Sequence, residues 1–180
     1  MTDTQRHAAG STSAVLAKGC QNEQLIADAK LALRRLASSV SVVTCRHDGR
    51  NFAMTATAVS ALSMDPPAML VCVNRSAVFH RALNRTSEFA INVLSRVHID
   101  ISQLCSGGAS PDSRFEVGDW DTRALAPVLT DAQAAIVCRK DRELDYGTHT
   151  VFMGRIVSVA MNGEVDPLIY LDGQYTGRAA

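Results

Sequence analysis

The strongest constraint on the fold is a succession of short segments with the period of β-strands, which come in runs rather than alternating one by one with helices. A first strand is predicted over residues 40–44, followed by the turn pair Asp48-Gly49. A second is predicted over residues 53–63 and ends at Asp65-Pro66-Pro67, because proline cannot donate to a ladder. The continuous apolar run 68–73 predicts a third strand that is buried on both faces.

The second half of the chain continues this pattern. Alternation over residues 88–93 predicts a half-buried strand, and two long strands are predicted at roughly 132–140 and 148–160. The highly charged stretch 139–145 is interpreted as a solvated turn, and residues 167–171 as a last short strand. About seven strands with a few short helices predict a mainly β protein. An antiparallel barrel or sandwich with peripheral helices is favoured over a doubly wound parallel sheet.

Three segments carry helical periodicity. One helical face carries Leu25, Ile26, Ala29, Leu33 and Leu36, which predicts an amphipathic helix packed on something larger. Ser76 and Ser95 are each predicted to cap a further short helix. Residues 1–21 show no period, so a flexible extension is predicted there, followed by one domain over residues 22–180.

Composition argues against several classes of protein. The 18 basic and 18 acidic residues balance, which disfavours a nucleic-acid partner and a membrane-surface role. No apolar run approaches the ~20 residues that span a bilayer, and no secretory signal is predicted. The five cysteines are odd in number and widely spaced. This spacing predicts reduced thiols in a cytoplasmic protein rather than a disulfide framework or a zinc site.

The segment from Ala53 to Pro67 is the first candidate for ligand binding, because it is small, rich in hydroxyls and nearly free of charge. In a strand, Thr55 and Thr57 face the same side, where two hydroxyls can bond the ribityl chain or the ring carbonyls of a flat ligand. Two β-branched residues in a half-exposed strand explain the same pattern. Both interpretations stay open at this point.

A cation and a hydroxyl follow at Asn74-Arg75-Ser76, directly before a predicted short helix. Free N–H groups at the start of a helix favour an anion, and Arg75 adds a planar fork of donors. The sequence therefore predicts a phosphate site here, with an ordinary serine cap beside a surface arginine as the alternative.

Two later positions are also candidates. Arg114-Phe115 ends a loop rich in Gly, Ser and Pro, and an aromatic ring beside a cation suits an anionic aromatic ligand. His149 opens an apolar strand, where it can contact an anionic cofactor or act as a structural histidine. His80 and His98 are predicted to be solvated, and no histidine pair has metal-ligand spacing, so no metal site is predicted. The motifs of Rossmann domains, P-loops, serine hydrolases and zincins are absent from the sequence.

The order of these features resembles the flavin reductase family, the short flavin:NAD(P)H oxidoreductases that serve two-component monooxygenases. The resemblance extends over about residues 31–175. The matching segments, in chain order, are Ser41-Val42-Val43-Thr44, Ala53-Met54-Thr55-Ala56-Thr57, Leu62-Ser63-Met64-Asp65-Pro66-Pro67, Val71-Cys72-Val73-Asn74-Arg75-Ser76, residues 89–94, Arg114-Phe115, Pro127-Val128-Leu129, Gly147-Thr148-His149-Thr150 with the following strand, and Pro167-Leu168-Ile169-Tyr170 with Gly173 and Tyr175.

The resemblance implies a split β-barrel that binds FMN or FAD and takes NADH or NADPH as co-substrate. It also implies a homodimer and a separate flavin-dependent monooxygenase that receives reduced flavin. No catalytic side chain is implied, because the cofactors carry the chemistry. The cofactor-binding residues that the resemblance implies are Met54, Thr55, Ala56, Thr57 and Ala58 along the flavin, Asn74, Arg75 and Ser76 at its phosphate, Arg114 and Phe115 closing over it, and His149 and Tyr175 near the nicotinamide.

The chain departs from the family pattern at five positions: Ser39, Ala53, Ala58, Val59 and Thr148 stand where the family usually has Gly, Gly, Ser, Phe and Asp. The missing hydroxyl at Ala58 removes a flavin hydrogen bond worth ~0.5–1.5 kcal/mol. Two alternatives remain: a flavin-binding sensor or carrier without turnover, and a relative of the pyridoxamine-phosphate oxidases.

Overall fold

Residues 22–177 are described in a computed structural model, and they form two units. The first comprises residues 22–37 and 171–173, and the second comprises residues 38–170 and 174–177. The predicted flexible extension, residues 1–21, lies outside the described residues. Within residues 22–177, none of the helices combines the length and the apolar character that a membrane span requires.

The first unit contains helix α1, which covers residues 22–33. Its helical period is as predicted, but the prediction that its apolar face packs on something larger is wrong for the single chain. Leu25, Leu33 and Leu36 are 67%, 63% and 62% exposed. Within this unit, the Arg34 guanidinium donates to the Asp172 carboxylate at 2.9 Å.

Twelve strands and two further helices complete the described chain. The strands are β1 (Ser38–Ser39), β2 (Ser41–His47), β3 (Arg50–Ala56), β4 (Val59–Met64), β5 (Pro67–Asn74), β6 (Glu88–Val93), β7 (Trp120–Asp121), β8 (Val128–Leu129), β9 (Ala134–Tyr146), β10 (His149–Met161), β11 (Ile169–Leu171) and β12 (Gln174–Thr176). The helices are α2 (Val78–Asn84) and α3 (Ile99–Ser106), with short 3₁₀ turns at Arg96–His98 and Ser113–Phe115.

Seven strands form one antiparallel sheet in the order β3-β2-β6-β9-β10-β5-β4. Strands β3 and β4 lie at its opposite edges, yet only Thr57 and Ala58 connect them. A two-residue link reaches no further than about 11 Å between the flanking Cα atoms. The sheet must therefore roll up until its edges meet at residues 57–58, while no ladder joins β3 to β4 among the described residues. This is a split barrel with peripheral helices, which confirms the predicted fold class.

The prediction of one strand over residues 53–63 is wrong. The chain bends at Thr57, so that β3 pairs with β2 while β4 pairs with β5. The residue types on both sides of the bend suit strands, and no glycine or proline marks it. Local sequence therefore could not reveal that the segment changes partners.

Three hydrophobic clusters form the core of the second unit, and the two larger ones contain the helices. The first packs the rings of Phe89 and Phe152 against Phe79 and Leu83 of α2. The second surrounds Ile101 of α3 and includes β2, β3 and β8 residues. The first cluster holds α2 against the sheet, and the second holds α3. The link at Thr57 and Ala58, where the two edges of the sheet meet, is called the seam.

The charged stretch 139–145 is not the predicted turn. It continues β9 to Tyr146 and pairs with β10 except at a bulge at Asp141, and the turn lies at Gly147-Thr148. The ladder with β10 satisfies the backbone, and most of the charged side chains are exposed, so the charges do not oppose a strand.

Two helix-related predictions also need correction. The N-cap of α2 is Ala77, not Ser76. His98 is buried rather than solvated, with 3% of its surface exposed, and its Nδ1 accepts a hydrogen bond from the backbone N–H of Ser95 at 3.2 Å. Ser95 does cap the 3₁₀ turn that precedes α3.

Candidate functional site

The barrel seam exposes small residues. Thr57 and Ala58 are both exposed, and the carbonyl of Ala58 accepts a hydrogen bond from the N–H of Cys72 in β5 at 3.0 Å. This bond fixes the link beside β5, about 7 Å along the strand from Asn74. Small side chains at the seam leave the backbone accessible to a flat ligand.

The turn after β5 carries the predicted phosphate residues. The Asn74 side-chain oxygen accepts from the backbone N–H of Ser76 at 2.9 Å and from its hydroxyl at 2.8 Å. Asn74, Arg75 and Ser76 are all exposed. Helix α2 begins only at Val78, so the donors come from this turn and its cation rather than from a Ser-capped helix end.

The structure places His149 beside this turn. His149 is the register partner of Asn74 across the β5–β10 ladder. The backbone N–H of Arg75 donates to the carbonyl of Thr148 at 3.0 Å, and its guanidinium donates to the carbonyl of Gly147 at 2.5 Å. The Thr148 hydroxyl lies 2.9 Å from Nδ1 of His149. The β9–β10 turn and the turn after β5 thus form one polar group at the end of the sheet.

Three further polar residues join this group, and sequence reasoning missed them. Nη1 of Arg75 lies 3.6 Å from the Asp145 carboxylate. The hydroxyl of Thr150 donates to Asp145 at 2.5 Å and lies 2.9 Å from Nε2 of His80. Asp145 was assigned to a turn, so its position opposite Thr150 in a ladder could not be anticipated.

A second group surrounds Thr55 and Tyr175. The Thr55 hydroxyl donates to the carbonyl of Ser102 in α3 at 2.6 Å, and the Ser102 and Tyr175 hydroxyls lie 2.9 Å apart. Ser102 is fully buried. Residues 102 and 175 are far apart in sequence, and no pattern in the chain signals their contact. Residues 55–58 connect this group to the polar group at the end of the sheet.

Arg114 holds a loop against β3. Its guanidinium donates to the carbonyl of Ala53 at 2.6 Å and to that of Ala109 at 3.3 Å. Phe115 packs edge-on against Trp120, with ring centroids 5.2 Å apart. The cavity that Arg114 helps to line measures about 50 Å³, well below the roughly 300–1,000 Å³ of small-molecule pockets. Closure of this pair over a ligand stays a prediction.

The remaining predicted residues lie within β3. Met54 and Ala56 pack with the first hydrophobic cluster, on the face opposite to Ala53 and Thr55. Their side chains therefore pack in the core. Only their backbone groups can contact a ligand at the seam.

The buried thiols of the described residues keep their protons at neutral pH, because burial disfavours the thiolate. Burial raises the pKa of Cys45 and of Cys138 to about 12. Burial also raises the pKa of Cys105 to about 11, against a smaller opposing effect of the Arg114 charge. Over residues 22–177, no cluster of three or more His, Cys, Asp or Glu side chains is arranged to hold a metal ion.

Comparisons with known proteins agree with this architecture. The model of the flavin reductase like domain matches residues 33–178. The chain is 39% identical over 149 residues to the reductase component of the FADH(2)-dependent resorcinol hydroxylase of Rhizobium sp. strain MTP-10005, covering 81% of this chain and 83% of that one. It is 36% identical over 155 residues to the FMN reductase (NADH) RutF of Variovorax paradoxus strain S110, covering 86% of each.

A solved structure extends the match to three dimensions. BorF, the flavin reductase component of a bacterial two-component tryptophan halogenase, superposes with a TM-score of 0.75 at 31% identity, covering 81% of this chain and 93% of BorF. The family match covers residues 33–178, which include the seven-stranded sheet and the link at Thr57 and Ala58. The chain therefore belongs to the flavin reductase family.

Proposed function

We propose that this protein reduces free flavin with NADH and releases the reduced flavin to a separate monooxygenase. One observation carries the proposal: the exposed small residues Thr57 and Ala58 lie about two residues along β5 from the exposed donor group Asn74, Arg75 and Ser76. A flat ring with a phosphorylated tail needs these two features at such a spacing. The resorcinol hydroxylase reductase component and the FMN reductase RutF are relatives over most of the chain.

The residues present fit a flavin mononucleotide. Arg75 offers a guanidinium that is half exposed and only loosely paired, with Asp145 at 3.6 Å. Ser76 adds a hydroxyl that would turn from Asn74 to the phosphate, and His149 adds a ring nitrogen on the same turn group. This set matches one terminal phosphate, because bidentate donors and a cation bind that group best. The ring would lie along the open seam, since the cavity at Arg114 is too small for it.

Bound flavin and nicotinamide supply the hydride transfer between themselves. The protein's own contribution is to position the flavin and the nicotinamide relative to each other. Arg75 and Ser76 would hold the phosphate, and the Cys72–Ala58 hydrogen bond fixes the link beside which the ring would bind. Thr148 orients the imidazole of His149, whose place beside Asn74 suits contact with an anionic nucleotide. Holding two reactants in register lowers the entropic part of the barrier.

The partner and the assembly belong to the same proposal. We infer a homodimer, because β10 extends past its last pairing with β5 at Arg155 and exposes Val157, Val159 and Met161, at 45%, 51% and 79%. A contiguous apolar strip on a free strand edge is a surface that a second copy can cover. A cytoplasmic location is part of the proposal, in keeping with the four unpaired cysteines of the described residues.

The test is the initial rate of NADH or NADPH oxidation, each with FMN, FAD or no flavin. The proposal expects flavin to stimulate NADH oxidation strongly, with saturation in both substrates. Folded protein that binds flavin without oxidising NADH is a carrier, and folded protein that does neither contradicts the proposal altogether.

A further inference from the structure

Asp145 stands next to the cation that the proposed function assigns to the flavin phosphate. Its Oδ2 lies 3.6 Å from Nη1 of Arg75, with 64% of the Asp145 side chain and 49% of the Arg75 side chain exposed. Nη2 of Arg75 donates to the carbonyl of Gly147 at 2.5 Å. The guanidinium is thus held at the end of the sheet through Nη2, and the Asp145 carboxylate lies beside Nη1.

Thr150 keeps that carboxylate in place. The Thr150 side chain is 2% exposed, and its hydroxyl donates to Oδ1 of Asp145 at 2.5 Å. A hydroxyl has one hydrogen to donate, so the 2.9 Å contact with His80 requires Nε2 of His80 to donate to Thr150. The carboxylate is therefore anchored from the interior, and it cannot swing away from Arg75 without breaking this bond.

We propose that Asp145 is an internal competitor for Arg75, which weakens binding of the flavin phosphate and speeds release of reduced flavin. The inference rests on the proposed function, because it takes the phosphate to bind at Arg75. A phosphate on Arg75 brings up to two negative charges near the anchored carboxylate, and like charges at an exposed site repel each other in a salt-dependent way. A reductase that delivers its product elsewhere benefits from this weakening, because affinity differences appear mainly in the dissociation rate.

The chain offers a matched control. Asp141 lies on the same strand, β9, and its carboxylate pairs with Arg155 at 3.6 Å. Its side chain is 46% exposed. Asp141→Asn removes the same charge from the same strand, but away from Arg75.

The experiment measures dissociation constants for FMN and for riboflavin, which lacks the phosphate, on the wild type, Asp145→Asn and Asp141→Asn. Asp145→Asn is expected to bind FMN about two- to fivefold more tightly and to release it more slowly, with riboflavin affinity unchanged. The gain should shrink in high salt, and Asp141→Asn should match the wild type. Asp145→Ser, with its fold checked by circular dichroism, serves as the second variant.

Three results overturn the inference while leaving the proposed function intact. They are unchanged FMN binding in both Asp145 variants, weaker FMN binding in both, and an equal change for FMN and riboflavin. Absence of FMN binding by the wild type and the variants alike contradicts the proposed function itself. The two failures are therefore distinguishable in one titration series.

Discussion

Gly154 offers the sharpest test of the packing that supports the site. It lies in β10, at an irregularity of the β9–β10 ladder, where the ring of Phe89 crosses over it. A Cβ added at Gly154 would lie 2.6 Å from Cε1 of Phe89 and 2.9 Å from Cβ of Cys138. Both neighbours are fully buried, so neither can move aside into solvent. Gly154→Ala must therefore push the two strands or the ring apart.

The expected cost follows from this contact. Overpacking a core by one methyl group costs about 1–3 kcal/mol, whereas replacing glycine restricts the unfolded chain and returns about 0.4–1 kcal/mol. Contacts as short as 2.6 Å place the overpacking cost at about 2–2.5 kcal/mol, so the net loss in the free energy of unfolding is about 1–2 kcal/mol. For a chain of this size, the melting temperature should fall by about 2–8 °C.

The assay is urea unfolding followed by circular dichroism, with Gly107→Ala as the control. A Cβ at Gly107 meets nothing within 4 Å, so its effect should stay within about 0.5 kcal/mol. A double-mutant cycle with Phe89→Leu identifies the cause, because a smaller side chain at residue 89 should relieve the clash. Equal stability of Gly154→Ala and the wild type, or strictly additive effects with Phe89→Leu, would refute the reasoning.

Three further predictions concern ionisation and the two polar groups. Because the folded-state pKa of Cys45 is raised to about 12 from 9.0, the unfolded chain loses its proton first. The contribution of the buried thiols to stability should be constant below about pH 9 and fall above it by roughly 1.4 kcal/mol per pH unit for each thiol, with a shallower fall in Cys45→Ala. Urea titrations at pH 8 and pH 10 measure this, and an equal slope in the variant would contradict it. Ser102→Ala and Tyr175→Phe remove the same 2.9 Å hydrogen bond. Each should cost about 0.5–1.5 kcal/mol and the double variant no more than either, as measured by the same titration; additive losses would show separate roles. Arg75→Ala should weaken FMN binding about tenfold or more and leave riboflavin binding unchanged, as measured by flavin fluorescence with Arg155→Ala as the control. Equal losses for both ligands would remove Arg75 from the phosphate site.

Strand periodicity predicted most of the sheet, but the predicted burial of one strand was wrong: residues 88–93 were predicted to be half-buried, whereas residues 89–92 are buried on both faces of β6. It failed at Thr57, where the chain changes edges of the sheet without a turn residue. It failed again at residues 139–145, where a ladder with β10 overrides the low strand propensity of charged side chains. In both cases the deciding interaction is a pairing partner far away in the sequence.

The residues of the candidate site also fall into those that local sequence predicts and those that depend on contacts between distant residues. Thr57, Arg75, Ser76 and His149 were candidates from local chemistry, and the ordered motifs that resemble the family added Ala58. Asp145 and Ser102 could not be predicted, because their roles arise only when the register places Asp145 opposite Thr150 and the fold brings Ser102 to Tyr175. Hydrogen bonds between residues distant in sequence leave no local pattern.

The most direct test of the central claim is hydrogen–deuterium exchange of the full chain with and without FMN. If the seam holds the flavin, peptides that cover residues 54–58 and 74–76 should become protected when FMN is added. Peptides from α1, residues 22–33, should not change. Protection confined to other segments, with residues 54–58 and 74–76 unaltered under saturating FMN, would contradict the assignment of the seam as the flavin site.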